Sequence, residues 1–234
     1  MAGRWTLRLE RVSWESPAAL LERIIATKAV HEIQGWGDLR SRLDPLDRRC
    51  WAYFHPALPN EPLVFTEVAL TRGLADSVQA ILSPARQGQA PDSATFYSIS
   101  ACQPSLRGIG LGDLLIQDAA AARAREGISQ AGTLSPMPGF RRWLAERADA
   151  RYPLEDEGKR PPTNPVARFH LGNGAEAWRF NPFADLSANG RRQSFGLMDN
   201  YRYDRERICD SQAAHHGNHA RAASDLLCAA VRGS

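Results

Sequence analysis

Lysine is nearly missing from this chain. Of 29 basic residues only Lys28 and Lys159 are lysines, and arginine supplies the rest. Arginine binds phosphates and carboxylates as a rigid fork, but a composition rich in arginine and alanine is also what a GC-rich genome writes, and that account carries more weight. Strong charge of one sign is lacking too. A net charge of +3 over 234 residues gives no argument for a nucleic-acid partner, and none is expected. No apolar run reaches the roughly 18 residues of a membrane-spanning helix. Met1-Ala-Gly-Arg-Trp-Thr-Leu-Arg8 lacks the apolar core of a secretory leader, and the chain has no Ser-Lys-Leu end. The expected setting is therefore the cytoplasm of a bacterium, away from the membrane. The four cysteines, at 50, 102, 209 and 228, form no C-x-x-C, which argues against a disulfide framework or a thiol-redox motif. There is no internal repeat and no Gly-x-Ser-x-Gly elbow. The G-x-x-x-x-G-K-[ST] nucleotide loop and the H-E-x-x-H zinc motif are missing as well.

What is present reads as a soluble globular chain, 43% apolar and 24% charged. It is long enough for one large domain, or a domain with an appendage. Residues 5–12 alternate weakly and read as a short strand or an arm. Ser16-Pro17 reads as an N-cap with proline in the first turn. Leu20, Leu21, Ile24, Ile25 and Ala29 then share a helical face, and Trp36, Leu39 and Leu43 mark a second helix. Two β-rich runs, Cys50–Phe54 and Leu63–Leu70, flank a loop from His55 to Pro62. A short helix is expected over Leu74–Leu82, a strand over Thr95–Ser100 and another over Ile128–Leu134. A helix is expected to begin at Phe140 and run to about Asp149. Residues 151–165 are charged and proline-rich and read as a linker. Val166–Leu171 reads as a strand, closed by Gly172-Asn173-Gly174 and paired with residues 176–180 as a hairpin. Residues 184–205 hold a helix, and Ser211–Val231 reads as helical. The fold class expected is α+β, a central sheet flanked by helices. Residues 1–45 form a helical lead-in to a domain over 46–234.

The chemistry is organised around Arg107-Gly108-Ile109-Gly110-Leu111-Gly112. This stretch follows a strand and opens an alanine-rich helix at Asp113. Glycines let the backbone approach an anion closely, and the free N–H groups of the first helical turn favour one. A tight turn with no ligand is the competing account. The pattern [Gln/Arg]-x-x-Gly-x-[Gly/Ala] resembles the pyrophosphate loop with which the GNAT acetyltransferase superfamily holds coenzyme A. That resemblance implies a CoA thioester with Arg107 and the amides of 108–113 on its diphosphate.

Three further candidates stand out. Ser135 lies at the end of an expected strand, stiffened by Pro136 and Pro138. It can aim a hydrogen bond at a ligand or serve as a turn residue before the next helix. His170 can move a proton near neutral pH or be a half-buried strand residue bonded to backbone. His215 and His219 share a helix face, but no glutamate or cysteine joins them at a ligand spacing, so no metal site is assigned.

Taken together, a series of blocks resembles the catalytic region of the malonyl-CoA decarboxylase family. They include Ala29–Trp36, Arg48-Arg49-Cys50, Phe54-His55-Pro56, Glu61-Pro62-Leu63, Val68–Thr71, Phe96–Ser100, Thr133–Phe140, Asn164–Leu171, Asn173-Gly174-Ala175 and Ser194–Tyr201, in the same order from about residue 10 to 205. The resemblance implies a GNAT-like, mostly antiparallel sheet and conversion of malonyl-CoA to acetyl-CoA and CO2 without a cofactor. It implies Ser135 and His170 as the catalytic pair, with Asn200 and Tyr201 as secondary pocket residues. Malonate or fatty-acid metabolism would be the context. Two departures stand against the family. Its N-terminal oligomerising helical domain has no counterpart here, which bears on the homo-oligomer the resemblance implies. Its long helical segment between the serine and histidine blocks is reduced to 145–163. Gly110 also stands where some members carry an acid. Two other readings follow: a CoA-dependent N-acyltransferase, and a shortened malonyl-CoA-binding protein impaired in turnover.

Overall fold

The computed structural model describes residues 7–27, 30–83, 90–103, 106, 110–124, 127–146, 164–204, 208–218 and 222–225. The chain divides into two compact units. The first comprises Met1–Gly73 and Leu82–Ser129, the second Leu74–Ile81 and Gln130–Ser234. In both, strands pair antiparallel and helices cover them, a mixed α/β architecture.

The first unit is a meander of β1 (Arg8–Val12), β2 (Arg48–His55), β3 (Leu58–Thr71) and β4 (Ser93–Ala101), paired in chain order. Cys50, Ala52 and Phe54 leave one face of β2 and Tyr53 the other, as period-two alternation demands. The first face is closed by helices α1 (Ala18–Ala26) and α2 (Trp36–Leu43), whose Leu20, Leu21, Ile24, Leu39 and Leu43 are buried against it. The second face takes α4 (Leu111–Ala124): Leu115 packs on Tyr53 and Val64, and the Tyr53 hydroxyl bonds Asp118. Helix α1 is not capped as the sequence suggested. Pro17 occupies the N-cap and no side chain caps the helix, because the Ser16 hydroxyl accepts instead from the Ser13 amide at 3.0 Å. The expected His55–Pro62 loop is mostly strand, since His55 pairs with Leu58 across a tight turn.

In the second unit β8 (Met198–Arg202) is central. It pairs with β5 (Gln130–Thr133) and β6 (Ser135–Pro136) on one side and β7 (Glu176–Asn181) on the other. Around it stand α3 (Val78–Leu82), α5 (Phe140–Glu146), α6 (Pro165–Gly172), α7 (Ala188–Ser194) and α8 (Ile208–Asn218).

Three expectations are corrected here. Val166–Leu171 is helix, not strand. The Asn164 side chain accepts from the Val166 amide at the N-cap and proline follows at the first position, a start signal that outweighs the β-propensity of so short a run. The Gly172–Gly174 turn therefore joins a helix to β7 rather than closing a hairpin. Gly174 is required there: its φ is +79°, and a Cβ would sit 2.4 Å from the Ile208 carbonyl oxygen. Among the described residues the last helix ends at Asn218, and Ala222–Ser224 run beside β7, with Ser224 donating to the Ala177 carbonyl at 2.9 Å. Leu74 lies ahead of its expected helix, which begins only at Val78.

Candidate active site

Side chains alternate along β8 and its neighbours. Ser135 and Asp199 are direct partners across β6 and β8, so Ser135, with Thr133 two residues before it, and Asp199, with Tyr201 and Tyr203 after it, line one face. Onto that face α6 lowers His170, which is 3% exposed. Its ring stacks on Tyr201, with centroids 4.7 Å apart. Nε2 lies 3.0 Å from the Ser135 hydroxyl and Nδ1 2.9 Å from the Tyr203 hydroxyl. The two residues singled out in the sequence thus meet, although 35 positions separate them.

The hydrogen bonds admit a self-consistent proton arrangement for the site without substrate. The Ser135 hydroxyl donates to Thr133 Oγ1 at 2.7 Å. Nε2–H then donates to Ser135, and Nδ1 accepts from Tyr203. Burial disfavours the imidazolium and pushes His170 down to about 3. Asp199 moves the other way. Burial raises it to about 8 although the Tyr201 hydroxyl donates to Oδ2 at 3.0 Å. At neutral pH the histidine is therefore uncharged and the aspartic acid mostly protonated.

Asn200 belongs to the opposite face. Its amide nitrogen donates to the carbonyls of Ala75 and Thr133, and its oxygen accepts from Asn181 and Arg179. It fastens β8 to its surroundings and does not meet His170, whereas Tyr201 does. Of the CoA loop, Arg107, Gly108 and Ile109 lie outside the described residues. Gly110 has φ +77°, the left-handed region glycine favours, and accepts from the Leu114 amide at 3.3 Å. Leu111, Gly112 and Asp113 form the first turn of α4. His215 is buried on α8 near Gly172, while His219 lies outside the described residues. No group of three or more His, Cys, Asp or Glu capable of holding a metal occurs among those described, nor any helix long and apolar enough to cross a membrane.

Sequence reasoning missed Thr133, Tyr203 and Asp199. Their signal was period two: Thr133 and Ser135 on one strand, and Asp199, Tyr201 and Tyr203 on the other.

Comparison with known proteins places the chain in a family. The family model described as malonyl-CoA decarboxylase C-terminal domain matches residues 6–160 and 147–233. The mitochondrial malonyl-CoA decarboxylase of Anser anser anser is 32% identical over 288 residues, covering 94% of this chain and 57% of that protein. This chain thus spans little more than half of its curated relative. The aligned stretch is also longer than the chain itself, so the relative carries residues within it that have no counterpart here. A crystal structure of malonyl-CoA decarboxylase from Agrobacterium vitis is 38% identical with a TM-score of 0.87, covering 97% of this chain and 67% of that one. The loading GNATL domain of CurA from Lyngbya majuscula shares the fold alone, at 14% identity and a TM-score of 0.62 over 85% of this chain and 97% of that one. By the extent of these matches, the chain belongs to the malonyl-CoA decarboxylase C-terminal domain family.

Proposed function

We propose that this chain removes CO2 from malonyl-CoA to give acetyl-CoA. The observation that carries the reading is the Ser135–His170 pair, held at 3.0 Å among side chains that are uncharged at neutral pH. A carboxylate carried into such surroundings loses hydration while its charge is concentrated, and that charge spreads as the bond to CO2 breaks. The electron pair of the C–C bond passes into the thioester carbonyl as an enolate, CO2 leaves, and C2 takes a proton. The thioester is its own electron sink, so the reaction as proposed uses no separate cofactor.

Ser135 turns its O–H from Thr133 to the malonyl carboxylate or the enolate oxygen, and His170 gives the Nε2 proton to C2 as Nδ1 takes one from the Tyr203 hydroxyl, which solvent then restores. A neutral imidazole suffices for an acceptor as basic as a thioester carbanion, and a pKa pushed low by its surroundings keeps it neutral. Arg107 and the amides of residues 108–113 take the diphosphate of CoA, where the first turn of α4 favours an anion.

The test is mass spectrometry of CoA species after incubation with malonyl-CoA and no acceptor, beside Ser135→Ala and His170→Asn. Acetyl-CoA formed by the parent and lost in both variants is the expected result. Free CoA appearing only with an added amine would replace this reading with acyl transfer. A second reading, binding without turnover, is favoured by the stretch of the relative that has no counterpart here. Unchanged malonyl-CoA in a folded protein that binds it would establish that reading.

A further inference from the structure

Asp199 is a buried carboxyl that the steps above leave unused. It is 3% exposed. Oδ2 accepts from the Tyr201 hydroxyl at 3.0 Å, while Oδ1 is buried with no hydrogen-bond partner. Its strand partner is Ser135, so the two side chains rise from the same face with Cβ atoms about 5 Å apart. The tyrosine that holds Oδ2 is the one on which His170 stacks. The carboxyl therefore stands at the serine end of the site with one oxygen uncommitted.

A buried polar atom without a partner is costly and calls for one. What partner fits depends on charge. An ionised Asp199 would repel any anion brought to Ser135. Burial instead holds the group protonated at neutral pH, and a protonated carboxyl is a strong hydrogen-bond donor to an anion. Among the described residues, Tyr201 on its own strand donates to it, Ser135 on β6 and Phe180 on β7 are its cross-strand partners, and His170 on α6 stacks on that tyrosine. Of these only Tyr201 and His170 titrate, and His170 is already neutral well below the range in which Asp199 ionises.

We propose that Asp199, as its neutral acid, donates a hydrogen bond from Oδ1 to the terminal carboxylate of the acyl group and so selects a dicarboxylic acyl thioester over a monocarboxylic one. The inference rests on Ser135 and His170 forming an acyl-thioester site. It also gives a reason for product to leave: loss of CO2 removes the acceptor of that bond.

Sulfoacetyl-CoA separates this inference from the reaction. Its sulfonate stands where malonyl-CoA has a carboxylate, stays anionic at any working pH and cannot leave as CO2. The quantity to measure is the affinity for sulfoacetyl-CoA relative to acetyl-CoA, by calorimetry, at about pH 6 and about pH 9.5, either side of the Asp199 transition. Titration of the CoA moiety cancels in the ratio. In the parent the ratio is expected to fall about tenfold or more as Asp199 becomes an anion facing an anion. In Asp199→Asn, whose amide donates at either pH, it is expected to stay high and flat. A flat ratio in the parent overturns the proposal, as does a fall that persists in the variant or equal affinity for both thioesters. The parent comparison decides the matter even should Asp199→Asn fail to fold. A parent that prefers the sulfonate at low pH yet makes no acetyl-CoA from malonyl-CoA would overturn decarboxylation and leave this inference standing.

Discussion

His170 lies flat on Tyr201, ring centroids 4.7 Å apart and planes inclined by 25°. Ser135 holds one nitrogen and Tyr203 the other. A ring gripped on its face and at both nitrogens has a single orientation, so no reorganisation is needed when charge develops beside it.

Tyr203→Phe removes the partner of Nδ1 and leaves that nitrogen buried and unsatisfied, a penalty of about 1–3 kcal/mol. Turnover is expected to fall about tenfold to a hundredfold with CoA affinity retained. Nitrogen-15 chemical shifts of the imidazole should report a changed tautomer population. An unchanged tautomer and unchanged turnover would show that Tyr203 does not position the ring.

His170→Asn separates proton delivery from binding. Loss of a general acid is expected to lower kcat by about two to four orders of magnitude, with the dissociation constant for CoA unchanged. Steady-state kinetics and calorimetry on the same preparation decide this, and equal losses in both would remove His170 from the proposed role.

Stability should respond to pH through two groups of opposite sign. His170 is depressed from 6.5 to about 3 in the fold, so its contribution is present above pH 6.5 and lost as pH falls through that window. Asp199 is raised from 3.8 to about 8, so its contribution is present below pH 3.8 and lost as pH rises through that window. The two windows overlap between 3.8 and 6.5, where the slopes cancel. Urea titrations should therefore show His170→Asn abolishing the rise in stability with pH below about 3.8 and uncovering a fall above it, and Asp199→Asn abolishing the fall between about 6.5 and about 8 and uncovering a rise below 6.5. Unaltered pH profiles in both variants would contradict the burial on which both shifts rest.

In the first unit Arg42 and Glu67 are 2% and 1% exposed and paired at 3.3 Å. Burial raises Glu67 above its ordinary value although Arg42 opposes it. Arg42→Ala strands that carboxyl and is expected to cost about 3–5 kcal/mol. Adding Glu67→Gln should recover part of the loss in chemical denaturation, whereas strictly additive losses would mean that the pair is not coupled.

The serine was legible because prolines at 136 and 138 and the preceding strand mark a rigid turn. His170 was legible as a residue but not as a conformation. Val, Phe and Leu between residues 166 and 171 suggested a strand, yet Asn164-Pro165 is a helix start, and a local cap decides so short a segment. Strand β8 escaped notice because Asp199, Asn200 and Tyr201 are buried on both faces, leaving no contrast between apolar and polar positions. Tyr203 could not be assigned because its partner is 33 residues away, and only tertiary structure brings them together.

The cap at Asn164 frees the histidine's helix from the length of the chain before it. Helix α6 takes its starting point from Asn164 at the N-cap and Pro165 at its first position. Chain can therefore be spliced in or cut out upstream of Asn164 without rotating or shifting the histidine, because its phase is set downstream of the change. The protein keeps the His170 ring on a fixed peg, and leaves the length of what comes before it open to variation.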